Sequence, residues 1–245
     1  MDVRRALRAL STVMIATGAL VLADAVLTLV WQEPISAYLA HRDQSRLSKQ
    51  LAQAERRPLA LSRSEREALA SIADLRRRIA FLARSARRRV KEGDALGRIR
   101  IPKVGASFVV VNGTGTADLR KGPGFYPSQP LPGAPGTVAI AGHRTTYLAP
   151  FRHIDELRPG NTIRLTMPYA EFTYTVVRTK IVDPHDLAVL DPTGHDTLVL
   201  TACHPLYSAS KRIVVFSRLT SERARGTVGS RTLVDDASGL SSRSR

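Results

Sequence analysis

Thr197-Leu198-Val199-Leu200-Thr201-Ala202-Cys203-His204-Pro205 is the stretch from which the rest of the chain can be read. It has the form of a short apolar strand, Leu198 to Leu200, running into the only cysteine of the protein. Nine residues after Cys203, Arg212 opens a second apolar strand, Ile213 to Phe216. Sixty residues before Cys203, Val138-Ala139-Ile140-Ala141 forms another such run and ends at Gly142-His143. A thiol, an imidazole and a guanidinium therefore each stand at a strand end, where side chains can meet at the rim of a sheet.

Around these three runs, residues 97–218 keep one character. Further strands are expected at Arg98–Ile101, Phe108–Val111, Thr162–Met167 and Phe172–Val182, beside Thr137–Ala141, Thr197–Thr201 and Ile213–Arg218. Gly- and Pro-rich turns separate them, and only short helical pieces fit, near Ala117–Lys121 and Ala149–Leu157. Seven short strands with few helices predict an all-β domain, a closed or nearly closed barrel. Residues 219–245, rich in Ser, Arg and Gly and without periodicity, are expected to be a disordered tail.

Two regions precede the barrel. Residues 1–31 hold an apolar run, Ala9 to Val30, of about 33 Å as a helix, enough for a bilayer core. Arg4, Arg5 and Arg8 come before it, so the positive-inside rule leaves the N-terminus in the cytoplasm and the body outside, with Trp31 as an interfacial anchor. Asp24 lies in the outer half of the run, and Ala23-Asp24-Ala25 has the small-x-small form of a signal-peptidase site. An uncleaved single-pass anchor is the expectation; a cleaved signal is the alternative. Residues 32–96 are a basic stalk with 15 Lys or Arg against 8 Asp or Glu. Ser64-Glu65-Arg66-Glu67 resembles a capping box, and Leu69, Ile72, Leu75, Ile79 and Leu82 make a narrow stripe at helical spacing, with Pro58 a break before it. The stalk either packs on the barrel or an anionic surface, or is a solvated linker. A segment this long and amphipathic could also cover the site.

The formal charge is +16, divided evenly: 18 basic and 10 acidic residues in 1–96, 19 and 11 in 97–245. Anionic lipid headgroups and anionic wall polymers are natural partners for such a chain. Nucleic acid is not expected, because zinc-ligand spacing, ribonucleoprotein aromatics and a basic-zipper register are all missing. One cysteine excludes an internal disulfide and leaves a thiol kept for its chemistry or for an intermolecular bond.

A cysteine protease or transpeptidase needs a thiolate, a proton donor for the leaving group and a group to hold the oxyanion. Cys203 is the one possible thiolate. Among six histidines, His143 is best placed; His41 lies in the stalk, and His153, His185 and His195 fall in helix or loop. His204 would point to the opposite face from Cys203, and Tyr207 is expected at the rim. Arg212 falls beside Cys203 if the two strands form a hairpin, and its fork of donors suits an oxyanion or substrate carbonyl.

These motifs resemble the sortase family. Thr-Leu-Val-Leu-Thr-Ala-Cys-His-Pro followed by Arg at nine residues is similar to the sortase Thr-Leu-x-Thr-Cys signature with its Arg. Ala139-Gly142-His143 with Arg-Thr-Thr resembles the histidine segment, Gly97 to Pro102 the first strand and Thr116 to Gly124 the first helix. The forms Ala-Gly-His-Arg-Thr-Thr-Tyr and Ala-Cys-His-Pro-Leu-Tyr-Ser look most like class E sortases of actinobacteria. The departure is an extra residue that turns Leu-x-Thr-Cys into Leu-Val-Leu-Thr-Ala-Cys, with Ala202 where many sortases have Thr. The resemblance implies that Cys203 attacks the Thr–Gly bond of a Leu-Pro-x-Thr-Gly or Leu-Ala-x-Thr-Gly sorting signal. His143 would protonate the leaving amine and Arg212 hold the oxyanion, with Thr201 and Ala202 contacting substrate. An amine of lipid II or of a pilin lysine would resolve the acyl-enzyme. No cofactor is implied, and no acidic cluster with calcium-loop spacing is visible, so no metal is expected. Two other readings remain: a wall transpeptidase of the L,D type, whose Ser-His-Gly-Cys motif is missing, and a non-enzymatic, membrane-tethered wall-binding protein on a degenerate scaffold.

Overall fold

The computed structural model describes residues 3–30, 34–57 and 59–225. Trp31, Pro58 and residues 226–245 lie outside them, and with them the expected interfacial anchor, the helix break and most of the expected tail. Eight strands close into a barrel: β1 (Ala95–Ile101), β2 (Ala106–Asn112), β3 (Gly124–Phe125), β4 (Thr137–Ala141), β5 (Thr162–Thr166), β6 (Ala170–Val182), β7 (Thr197–His204) and β8 (Lys211–Ala224). Their order around the barrel is β1-β2-β3-β4-β7-β8-β6-β5. Seven are the strands expected from the sequence, with ends moved by a few residues. The eighth, β3, has two residues, too few for any period to show. It pairs parallel to β2 and antiparallel to β4, and so closes that side of the barrel. The expected tail begins too early: Leu219 to Ala224 pair with β6 as the end of β8.

β4 and β7 are buried on both faces, so they read as unbroken apolar runs rather than alternating ones. Inward, Val138, Ile140, Leu198, Leu200 and Ala202 join the main core. Outward, Ala139 and Val199 pack with Val214, Phe216, Val182 and Leu190. That outer cluster is covered by a 3-10 turn at Leu187–Leu190. The expected helix at 149–157 reduces to a 3-10 turn, Ile154–Glu156, and Ala149, its first residue, adopts left-handed backbone angles with the two residues before it.

Helix α1 (Val3–Val30) contains a stretch, Arg4–Val26, long and apolar enough to cross a membrane. Helix α2 (Pro34–Arg56) lies along β1 and β2, burying Leu47 and Leu51 against Val109 and Val111. Its Gln44 carboxamide behaves like a short strand: Oε1 accepts from the Val109 N–H (2.8 Å), while Nε2 donates to Val109 O (3.0 Å) and Lys121 O (2.8 Å). This satisfies backbone groups of β2 above the point where β3 begins to pair with it. Gly122 leaves the room, since a Cβ there would meet Gln44 Nε2 at 2.2 Å.

The stripe from Leu69 to Leu82 is two helices, α3 (Arg63–Ser71) and α4 (Leu75–Arg87), because Asp74 caps the second by accepting from the Arg77 N–H. The capping box lies two residues earlier than Ser64–Glu67. Ser62 accepts from the Glu65 N–H, and the Glu65 carboxylate accepts from the Ser62 N–H. Arg89 and Arg88 hold the same carboxylate, and Arg89, then the Ser62 amide, depress its pKa to about 2. Glu67 has only an exposed pair with Arg63. From α4, Ile79, Leu82, Ala83 and Ala86 enter the main core of the barrel. Of the two readings of the stalk, packing on the barrel is the one that occurs, and the packed unit begins well before residue 97.

Leu82, 3% exposed, distinguishes a core helix from a linker. Leu82→Ala should lower the unfolding free energy by about 2–4 kcal/mol in a denaturant titration; on a solvated linker the change would stay within roughly 0.5 kcal/mol.

Candidate active site

Alternation along β7 and β8 fixes where the chemistry-bearing side chains point. Val199 and Val214 belong to the outer cluster, so Thr201 and Cys203 on β7 and Arg212 on β8 share that outer face. Cys203 and Arg212 are directly opposite in the antiparallel register, at the separation of about 4.5–5.5 Å between Cα atoms that such pairs have. β4 runs parallel to β7 with Ala139 beside Val199 and Ala141 beside Thr201. The Gly142 N–H carries this pairing one residue further by donating to Thr201 O at 3.0 Å. His143 therefore leaves the end of β4 next to the end of β7. Gly142 is required there, since a Cβ would come within 2.5 Å of the Phe151 ring.

The imidazole of His143 is half-buried, and its Nε2 is shielded from solvent without a hydrogen-bond partner. Its ring lies 5.2 Å from that of Tyr147, and the Arg120 guanidinium sits 5.7 Å from the Tyr147 ring. Burial, and then the Arg120 cation, push the His143 pKa below the ordinary histidine value of 6.5. The imidazole is thus neutral near pH 7, with an unused nitrogen, the state suited to taking a proton from a thiol.

Two parts of the site carry little signal in the sequence. Arg144 is 4% exposed and acts as a clamp. Its Nε and Nη2 donate to Arg152 O (3.1 and 3.0 Å), Nη2 reaches Asp155 Oδ1 (2.8 Å), and Nη1 lies 3.4 Å from His204 Nδ1. His204 thus points away from Cys203, to the opposite side of β7. The loop that follows the clamp has three consecutive left-handed residues, Tyr147, Leu148 and Ala149, with φ of 51, 65 and 40°. Side chains without a glycine's freedom hold such angles only when surroundings fix them. Here the Phe151 N–H donates to His143 O (3.0 Å), and Ala149 and Phe151 are buried.

The remaining candidates fall as follows. Thr201 faces outward with Cys203, its Oγ1 2.9 Å from the Tyr126 hydroxyl. Ala202 points its side chain into the barrel, 4% exposed in the main core, so the substrate contact expected there falls to its backbone. β7 runs in unbroken register with β8 through Ala202, with no bulge beside Cys203. Tyr207 is at the rim, where its hydroxyl accepts from Arg152. His41 is on α2, His153 pairs with Glu156, and His185 is exposed beside Asp183. The Arg212 guanidinium donates to Ala209 O and Lys211 O in the β7–β8 turn. Among the described residues, no hydrogen bond or ion pair joins residues 34–90 to Cys203, His143 or Arg212.

A family model described as the Sortase domain matches residues 99–220, the whole barrel apart from its first and last few residues. The solved structure of sortase E from Streptomyces avermitilis is 32% identical, with a TM-score of 0.50, over 56% of this chain and 98% of that one. The chain belongs to the sortase family. Sortase D of Bacillus subtilis (strain 168) is 38% identical over 130 residues, 51% of this chain and 64% of that protein. Sortase SrtE1 of Streptomyces coelicolor is 27% identical over 149 residues, 54% of this chain and 42% of that protein. The match therefore spans less than two thirds of either curated sortase. Class E is one of several classes that match, with a class D relative at higher identity. A Sortase D5 transpeptidase of Clostridium perfringens, 22% identical with a TM-score of 0.56, shares the fold.

The environment of His143 has a pH consequence. Its folded pKa lies below the unfolded value, so the stability it contributes is complete above about 6.5 and is lost as pH falls through the folded value. In an NMR titration, His143 should titrate below the ordinary histidine value of 6.5, and Arg120→Gln should move its midpoint upward. An unchanged midpoint in that variant would remove Arg120 as a cause.

Proposed function

We propose that this sortase is a membrane-anchored cysteine transpeptidase that acts on proteins ending in a Leu-Pro-x-Thr-Gly-like or Leu-Ala-x-Thr-Gly-like sorting signal. The observation that carries the reading is the register, which sets Cys203 opposite Arg212 and brings the end of β4, with His143, beside them. The neutral, unpartnered imidazole accepts the Cys203 proton. The thiolate attacks the carbonyl carbon of Thr, and the oxyanion that forms lies toward Arg212. When the tetrahedral adduct collapses, the Thr–Gly bond breaks, the electron pair leaves on the glycine nitrogen, and His143 returns its proton there. A thioester on Cys203 remains. An incoming amine, from lipid II or a pilin lysine, attacks that thioester while His143 takes the amine proton; Cys203 leaves as thiolate and regains the proton. Arg144 keeps the two strand ends in place, and the outward hydroxyl pair of Thr201 and Tyr126 forms part of the surface on which the signal lies.

Helix α1 is the anchor in this reading, with the N-terminus cytoplasmic and the barrel outside. The catalytic unit extends from α2 to the end of β8, so residues 34–57 and 59–94 belong to it as a docked collar.

The test is product analysis by mass on the full-length protein in detergent, with peptides of both motifs and a diamine. Cleavage between Thr and Gly with transfer to the amine is expected. Cys203→Ala should abolish it, and His143→Ala should cost roughly 10²–10⁴-fold in rate. Equal product from the Cys203→Ala protein would overturn the proposal.

A further inference from the structure

The barrel has a concave feature at the end away from Cys203. A cleft of about 1200 Å³ opens between α4 and the barrel rim. Its barrel wall includes Gly136 just before β4, Asp196 just before β7 and Arg218 in the second half of β8. β4 and β7 end at the active-site face, so their beginnings mark the other end.

The charges in this cleft do not balance. Its two carboxylates are both engaged: Asp74 caps α4 by accepting from the Arg77 N–H, and Asp196 pairs with Arg76, which also reaches Glu222. Arg77, Arg84 and Arg218 line the same cleft, and none has an acidic partner among the described residues. Four arginines against two aspartates leave the cleft at +2, and Arg77, Arg84 and Arg218, outside any ion pair among the described residues and set on a fixed helix and a fixed strand, form a surface for several anionic groups in a row.

The run of α2 says which anions can reach it. Gln44, in its first half, bonds Lys121 O just before β3, at the active-site end. Glu55, near its end, pairs with Arg225 just past β8, at the opposite end. Only three residues separate the apolar α1 from α2. In the anchored topology proposed above, the active-site end faces the bilayer and the cleft faces outward.

We propose that this cleft binds a linear phosphodiester polyanion of the cell envelope, with Arg77, Arg84 and Arg218 pairing to its phosphates. Such contact would hold the outer end of the enzyme to the wall while the opposite end works at the membrane. The charge argument is independent of the Cys203 chemistry; only the choice of polymer over lipid headgroup rests on the proposed topology.

The test uses full-length protein in detergent micelles, inorganic polyphosphate as the polymer probe, and phosphatidylglycerol-containing vesicles for the headgroup. Arg77→Gln/Arg84→Gln/Arg218→Gln is compared with Arg42→Gln/Arg57→Gln/Lys103→Gln, which removes the same charge from exposed positions outside the cleft. Circular dichroism melts confirm that both fold. At physiological salt the cleft variant should lose about tenfold or more in polyphosphate affinity, and the control about twofold or less. Equal losses would show diffuse charge attraction and overturn the proposal. Loss of vesicle binding with polyphosphate binding intact would assign the cleft to headgroups and overturn it as well. Cleavage of sorting peptides by both variants, read separately, reports on the transpeptidase reading alone.

Discussion

The parallel pairing of β4 with β7 is the constraint on which the site depends. Parallel strands need a long crossover, and here it is the fifty-five residues between Ala141 and Thr197, including β5 and β6. What that crossover secures is two strands that end together, one on Gly142-His143 and the other on Cys203. The hairpin from β7 to β8 then adds Arg212 opposite the thiol. A one-residue slip of β7 would turn Cys203 inward and Ala202 outward. Burial of both faces of β7 resists such a slip, because Leu198 and Leu200 fill the interior while Val199 packs beneath the 187–190 turn.

The rest of the molecule holds those ends still. The Arg144 clamp joins the segment after His143 to the residue after Cys203 through a buried guanidinium. At the other end of α4, Arg87 donates to Asn112 Oδ1, Tyr126 O and Gln129 O, and burial pushes its pKa down. Tyr126 then reaches Thr201 with its hydroxyl. The N-terminal helices are thus linked to β7 through hydrogen bonds as well as through the shared core. The two ends of the barrel are left with different chemistry, a neutral imidazole at one and, at the other, guanidiniums that have no acidic partner among the described residues.

How far this was legible in the sequence follows from how local each signal is. β4, β7 and β8 were readable because burial on both faces leaves continuous apolar runs, and so was the placing of His143, Cys203 and Arg212 at the ends of those runs. β3 was not, since two residues have no period. α2 escaped because its docking rests on Gln44, whose partners are 65 and 77 residues away. The wrong capping box was chosen because Ser62 and Ser64 both precede a Glu by three residues; only Arg88 and Arg89, brought in by α4, favour Glu65. Arg144 and Arg120 looked like two arginines among many in a chain of net charge +16. Ala202, adjacent to the thiol in sequence, turns its side chain to the other side of the strand.

The account's central claim is that this register makes Cys203 the acylated atom. The direct measurement is the intact mass of full-length protein mixed with a sorting peptide and no amine. The account predicts a mass gain equal to the acyl fragment ending at Thr, mapped to Cys203, released by hydroxylamine and absent from Cys203→Ala. A folded protein that gains no mass, or a Cys203→Ala protein that gains the same mass, would contradict it.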